Sequence, residues 1–175
     1  MLNDAFRTER LIIRRIQESD WDDVLRIWED FAASEYVMYD VPRNLDPEAV
    51  RRRIAVWASY SKSDEHLFMA VCLDDTVIGY FAFNENKTGY ETGYCFCCDH
   101  AGKGYASESF RAIVGRLKEN GVSVITAGTA MDNEPSVKFL TRNGFVLTGL
   151  ERLSFCSGSD GKPFYFIGGE FELTL

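Results

Sequence analysis

The chain has 175 residues, of which 46% are hydrophobic, 14% aromatic and 26% charged, a composition that excludes disordered, collagen-like and disulfide-scaffold chains. Its length predicts one domain over residues 1–175 that buries about 70% of its unfolded surface, so no metal or disulfide is needed as a staple. Asp and Glu number 27 against 19 Lys and Arg, a formal charge of −8, which is the opposite of the basic footprint of phosphate-backbone binding and excludes nucleic acid as an expected partner.

Residues 10–16 are a β-branched run that predicts a strand. Ser19, with Asp22 three residues on, predicts a capping box, and Trp21, Val24, Leu25 and Trp28 give the helix behind it one apolar face. From 33 to 45 the pattern lapses into aromatic and polar residues, among them Glu35, Tyr36, Tyr39, Asp40 and Pro42. A loop of that length is expected to be functional and to line a pocket. Asp46 followed by Pro47 reads as a cap with proline at the first helical position, ahead of a buried stripe of Val50, Ile54, Trp57 and Ala58. Strands over 67–73 and 77–84, separated by Asp74, Asp75 and Thr76, predict a hairpin, and 91–98 a third strand.

A glycine loop over 102–106 then opens a helix that runs to about Asn120, with Ala106, Phe110, Ile113, Val114 and Leu117 at helical spacing and Gly121 as its stop. A strand follows over 122–130. The next helix spans 133–143, with Pro135 in its first turn and Gly144 at its end. Two strands, 145–155 and 164–173, close the chain around the turn-rich Ser157, Gly158, Ser159, Asp160, Gly161, Lys162 and Pro163. This order neither alternates like a doubly wound fold nor segregates like a sandwich, and predicts a mixed central sheet flanked by helices.

The loop Ala101-Gly102-Lys103-Gly104-Tyr105-Ala106 lies directly between a strand and an amphipathic helix. Glycines let successive N–H groups turn toward one centre, and the helix start adds unpaired N–H groups and the positive end of its dipole, a setting suited to a pyrophosphate. By itself the loop also reads as a plain strand-to-helix turn. It lacks the Gly-Lys-Ser/Thr of a P-loop and the third glycine of a dinucleotide fingerprint.

The five cysteines are an odd number, and Cys95, Cys97 and Cys98 fall within four residues, which fits reduced thiols better than a disulfide framework. A zinc site is not expected, because Cys95 and Cys97 alternate on one strand face and no second ligand pair follows. Cys97 or Cys98 beside a thioester remains open to acylation. No apolar run nears the about 20 residues of a membrane helix, and no signal-peptide pattern opens the chain. The expectation is a cytoplasmic protein with no membrane partner.

Gly104 and Ala106 match the Arg/Gln-x-x-Gly-x-Gly/Ala loop of the GNAT superfamily of N-acetyltransferases, and the stretch from Asn133 through Ser136 to Gly144-Phe145 resembles that family's second signature. Thr8-Glu9-Arg10-Leu11 and Gly104-Tyr105-Ala106-Ser107-Glu108 resemble the branch of ribosomal-protein N-terminal acetyltransferases. The resemblance implies an α+β (mixed α/β) fold with a mostly antiparallel sheet of about seven strands and about four helices. Two positions depart from the family: Ala101 stands at its Arg or Gln, and Leu140 where many members carry a tyrosine that protonates the leaving thiolate.

The implied activity is acetyl transfer from acetyl-coenzyme A (acetyl-CoA) to a primary amine by direct attack in a ternary complex. An alternative is a degenerate acyl-CoA-binding sensor. The resemblance places pyrophosphate on Gly102, Lys103, Gly104, Tyr105, Ala106 and Ser107, the pantetheine arm by Asn133, and the thioester carbonyl at backbone N–H groups of Phe96, Cys97 and Cys98. It makes Glu91 the general base through one water. Ser136, also near the sulfur, is the general acid, with Tyr105 or water as alternatives. Glu35, Tyr39 and Asp40 are expected to wall an acceptor pocket for a peptide N-terminus or small amine, Glu35 or Asp40 attracting its charge. A homodimer is the implied assembly.

Overall fold

The computed structural model describes residues 2–158 and 160–175; Met1 and Ser159, the latter in the expected turn-rich stretch, lie outside the described residues. In chain order the elements are β1 (Phe6–Arg7), β2 (Ile12–Arg15), α1 (Trp21–Ala32), α2 (Pro47–Ser59), β3 (His66–Leu73), β4 (Thr76–Glu85), β5 (Tyr90–Phe96), α3 (Tyr105–Glu119), β6 (Val124–Ala130), α4 (Glu134–Arg142), β7 (Val146–Leu153) and β8 (Phe166–Thr174). The strands form one sheet in the order β1-β2-β3-β4-β5-β6-β8-β7. This is the expected α+β architecture with one strand more. β1 pairs through only Phe6 with Ile13 and Arg7 with Ile12, too short a segment to show any alternation.

Alternation along the strands sends side chains to two cores. Val24, Ile27 and Trp28 of α1 and Val50 and Ile54 of α2 bury against Phe68, Ala70, Tyr80 and Cys95 on one face of the sheet. Phe110, Ile113 and Leu117 of α3 and Leu140 of α4 bury against Phe81, Phe83, Ile125 and Ala127 on the other. Asp46 caps α2 as expected, its Oδ1 accepting from the Ala49 N–H at 2.9 Å.

The start of α1 corrects the expected Ser19 and Asp22 box. A 3-10 turn over Glu18–Asp20 precedes the helix, and Asp20 accepts from the Gln17 N–H at 2.8 Å. Arg14 holds the same carboxylate at 2.7 and 2.8 Å. A buried carboxylate needs donors, and β2 supplies a guanidinium that Asp22, outside on the helix, does not reach.

The feature that positions the site is a break in the sheet. Every neighbouring pair is antiparallel except β5 and β6, which are parallel and pair only through Tyr90 with Ile125 and Glu91 with Thr126. Both strands continue, to Phe96 and Ala130, but past Glu91 they part and leave a wedge. Gly89 closes its narrow end: a Cβ there would stand 2.1 Å from the Val124 carbonyl oxygen.

Candidate active site

Gly102 and Gly104 hold left-handed backbone, with φ of 72° and 82°. A Cβ on Gly102 would meet nothing within 4 Å and one on Gly104 only Arg10 Nη2 at 3.6 Å, so conformation rather than space asks for glycine here. Asp46 and Asn133 cap α2 and α4 with side chains, whereas α3 starts on Gly104 with no side-chain cap. The first N–H groups of this 15-residue helix are therefore left at the positive end of its dipole, free to take an anion.

The loop is braced from the N-terminal segment. Arg10 donates from Nη1 to the Lys103 carbonyl at 3.0 Å and from Nε to Glu108 at 2.7 Å, and its guanidinium lies 4.5 Å from the centre of the Tyr105 ring. Thr8 donates to the same Glu108 carboxylate at 2.5 Å. Burial raises the Glu108 pKa, but the hydrogen bonds from Thr8 and Arg10 together outweigh it and hold the carboxyl below its usual range. Ala101 is exposed and without a polar group, and Arg10, which braces the loop, has its charge paired with Glu108 at 2.6 Å. Lys103 turns its Nζ to the Asp99 carbonyl at 2.9 Å, and Ser107 accepts from Asn143 at 3.0 Å, tying α3 to the end of α4.

The expected amides around residues 96–98 are corrected in part. The Cys97 N–H donates to the Ile78 carbonyl at 3.0 Å and the Cys98 N–H to Asp30 Oδ2 at 2.6 Å, because the end of β5 satisfies its own donors against β4 and α1. The Cys97 side chain buries with Cys95 on the α1–α2 face, away from Phe96 and Tyr94, which pack on the α3–α4 face. Since Cys97 bonds to Ile78 beside the Gly79–Phe96 pair, ladder alternation turns the Phe96 and Tyr94 amides away from β4, toward the wedge.

Asn133 Oδ1 caps α4, accepting from the Ser136 N–H at 3.3 Å. The Ser136 hydroxyl lies 2.7 Å from that of Tyr94, so the start of α4 reaches across to β5. Glu91 is exposed at the narrow end of the wedge. It stands on the sheet face opposite Tyr94, three residues or about 10 Å along the strand. Its neighbours on that face are unforeseen: Thr126 pairs with Glu172 and Gly128 with Glu170, so by ladder pairing all three carboxylates share one side of the sheet.

The loop over 33–45 spans from α1 to β8. Tyr39 packs its ring 5.9 Å from Phe164 and 5.4 Å from Phe166. Asp40 does not stand ready for a cationic acceptor: Arg43 pairs with it at 2.5 Å, a guanidinium 4.8 Å from the Phe31 ring and 3.8 Å from Cys95 Sγ. Trp28, Phe31, Val37, Pro42 and Arg43 line a cavity of about 110 Å³. Glu35 is exposed.

Residues 10–146 match the family described as acetyltransferase (GNAT) domain. The chain belongs to this family. A curated relative, the uncharacterized N-acetyltransferase YnaD of Bacillus subtilis (strain 168), is 27% identical over 91% of this chain and 92% of its own length. Among solved structures, ribosomal-protein-S5-alanine acetyltransferase from Vibrio fischeri superposes with a TM-score of 0.76 at 19% identity, over 95% of both chains. RimL, a ribosomal L7/L12 alpha-N-protein acetyltransferase in complex with coenzyme A, does so with a TM-score of 0.82 at 17% identity, over 98% of both.

In this GNAT acetyltransferase Leu140 is fully buried in the core beneath α4, so that position offers no proton donor. Nor is the exposed thiol primed for acylation. Cys98 Sγ donates to Asp30 Oδ1 at 2.8 Å, and that hydrogen bond first, then desolvation, pushes its pKa up to about 11. Among the described residues no three His, Cys, Asp or Glu side chains group to hold a metal ion, and no helix is long and apolar enough to cross a membrane. Replacing Asp30 by Asn returns the Cys98 thiol toward its ordinary pKa. With about half the thiolate gain offset by lower nucleophilicity, iodoacetamide labelling of Cys98 at pH 7.5 rises about tenfold. Peptide-level mass spectrometry checks this, and an unchanged rate shows that Asp30 does not hold the proton on sulfur.

Proposed function

We propose that the protein, as one domain over residues 1–175, moves an acetyl group from acetyl-CoA to a primary amine by direct attack in a ternary complex. The observation that carries this reading is the side-chain-free start of α3, braced by Arg10 and opening beside the parted strands β5 and β6. Bound there, acetyl-CoA supplies an activated acyl group as a thioester. The backbone of residues 102–107 takes the pyrophosphate, and the amide nitrogen of Asn133, whose oxygen is engaged in the cap, serves the pantetheine arm. The Tyr94 and Phe96 amides face the position where negative charge develops on the carbonyl oxygen. A protein of this fold is known in complex with coenzyme A, which supports coenzyme A as the ligand class.

The acceptor enters from the opposite face, between the loop over 33–45 and the carboxylates of Glu91, Glu170 and Glu172. Their charge favours a cationic amine, either a peptide N-terminus, as in the ribosomal-protein acetyltransferases of the same fold, or a small polyamine. Glu91 takes the ammonium proton through one water, and Ser136 returns a proton to the departing sulfur. Glu91→Gln then lowers kcat by about 100-fold and leaves the Kd for acetyl-CoA unchanged. A kcat equal to that of the unaltered protein across the pH range removes Glu91 from this role.

The first test is isothermal titration of the purified protein with acetyl-CoA, followed by coenzyme A release assays with N-terminal peptides, polyamines and aminoglycosides. Micromolar binding with turnover of one amine class establishes the activity. Binding without turnover of any amine makes the protein an acyl-CoA sensor, and no binding withdraws the proposal.

A further inference from the structure

We propose that Tyr94 is a positioning residue that donates its hydroxyl proton to the Ser136 oxygen, leaving the Ser136 O–H to aim into the wedge. This rests on the reading of Ser136 as the group that protonates the leaving sulfur. The Tyr94 ring is held on two sides, 5.6 Å from Phe81 and 4.6 Å from Phe139. Its hydroxyl has Ser136 Oγ, at 2.7 Å, as its one hydrogen-bond partner among the described residues. Either oxygen can be the donor at that separation and both residues are half-buried; the phenol, the stronger acid of the two, is the better donor. A phenol among aromatic rings that did not donate would leave its proton unpaired, whereas Ser136, half-buried at the mouth of α4, has the wedge to donate into.

Ser136 is also released from the usual duty of a first-turn serine. Such a hydroxyl ordinarily turns back on helix N–H groups, but in α4 Asn133 performs the cap, and the N–H it receives is that of Ser136 itself. Backbone and hydroxyl of Ser136 are thus each fixed by a different neighbour, Asn133 and Tyr94.

As the carbon–sulfur bond breaks, its electron pair goes to sulfur. Ser136 gives its proton to that sulfur, and its oxygen, holding partial negative charge, is stabilised by the Tyr94 hydrogen bond until water reprotonates it. Desolvation first of all pushes the Tyr94 pKa well above the ordinary phenol value, so Tyr94 is protonated in the resting site and available as a donor to the Ser136 oxygen, through which it acts.

The test needs no acceptor. In the Ser136→Cys variant the introduced thiol reports on the donor beside it, and its pKa is read from the pH profile of iodoacetamide labelling by peptide-level mass spectrometry. If Tyr94 donates, the thiolate is stabilised, and adding Tyr94→Phe moves the midpoint of the profile up by about one pH unit. A midpoint that stays in place, or moves down, overturns the proposal. Tyr94→Phe keeps the ring and its packing, and equal melting temperatures for the two variants show that the shift is not a loss of structure. The same labelling run with acetyl-CoA present separates this proposal from the reading beneath it. Protection of the introduced thiol supports Ser136 at the sulfur, whereas a midpoint shift without protection keeps the Tyr94 geometry and overturns the acid role of Ser136.

Discussion

Gly104→Val abolishes measurable acetyl-CoA binding while the protein stays folded. Gly104 sits at φ 82° as the N-cap of α3. A β-branched residue in left-handed backbone costs at least about 1–2 kcal/mol, which the chain escapes by turning the loop. Turning it swings the first N–H groups of α3 away from their common centre and strains the Arg10 bond to the Lys103 carbonyl. With several N–H donors lost at once, the Kd rises by well over tenfold. Gly115→Ala is the control: Gly115 lies exposed on the same helix, with nothing within 4 Å of a Cβ. Alanine there leaves the Kd unchanged and raises stability by up to about 1 kcal/mol. Isothermal titration of the three proteins decides the matter, and a Gly104→Val Kd within twofold of the parent would mean that the loop is only a turn.

Phe81→Ala lowers the free energy of unfolding by about 3–5 kcal/mol. Phe81 is fully buried on β4, and its ring meets those of Tyr94, Phe96, Phe110 and Phe139 at 5.6, 5.4, 5.6 and 6.2 Å. It thereby joins β5, one wall of the wedge, to α3 and α4. The cavity left by alanine is ringed by aromatic side chains anchored on different elements, so collapse is limited and the loss lies in the upper part of that range. Phe81→Leu, which keeps most of the volume, costs less than half as much. Urea unfolding followed by tryptophan fluorescence gives both values, and a loss below about 1 kcal/mol for alanine would show that the aromatic cluster does not bind these elements together.

Most helices were legible in the residues themselves. Asp46-Pro47 announced the start of α2, and Gly121 and Gly144 stand just after α3 and α4, because caps, prolines and helix-ending glycines act over a few residues. The start of α1 was misread for the opposite reason. Ser19 and Asp22 have the right letters and spacing, but Asp20 gains a guanidinium from Arg14, a partner on β2 that no spacing rule for helix starts reveals.

In the site, the glycine loop was visible as a pattern, since left-handed backbone before a helix start demands glycine locally. What braces it was not: Thr8 and Arg10 lie about a hundred positions from Glu108. The same holds for Asp30 and Cys98, 68 residues apart, and for Tyr94 and Ser136, 42 apart. Tyr94 was in view beside Glu91 but carried no signal, since one tyrosine in a strand reads as packing. Glu170 and Glu172 gained meaning only through their register with Gly128 and Thr126.

The sequence by itself thus determined most helix starts and stops, that of α1 excepted, the apolar faces and the phosphate-type loop, each a consequence of backbone preference and side-chain periodicity acting within a turn or two. Only the tertiary structure decided where β5 and β6 part, which amides face the gap, and that Asp40 and Cys98 are already engaged. Those outcomes depend on which distant groups meet, and burial then forces each polar group brought together to find its donor or acceptor.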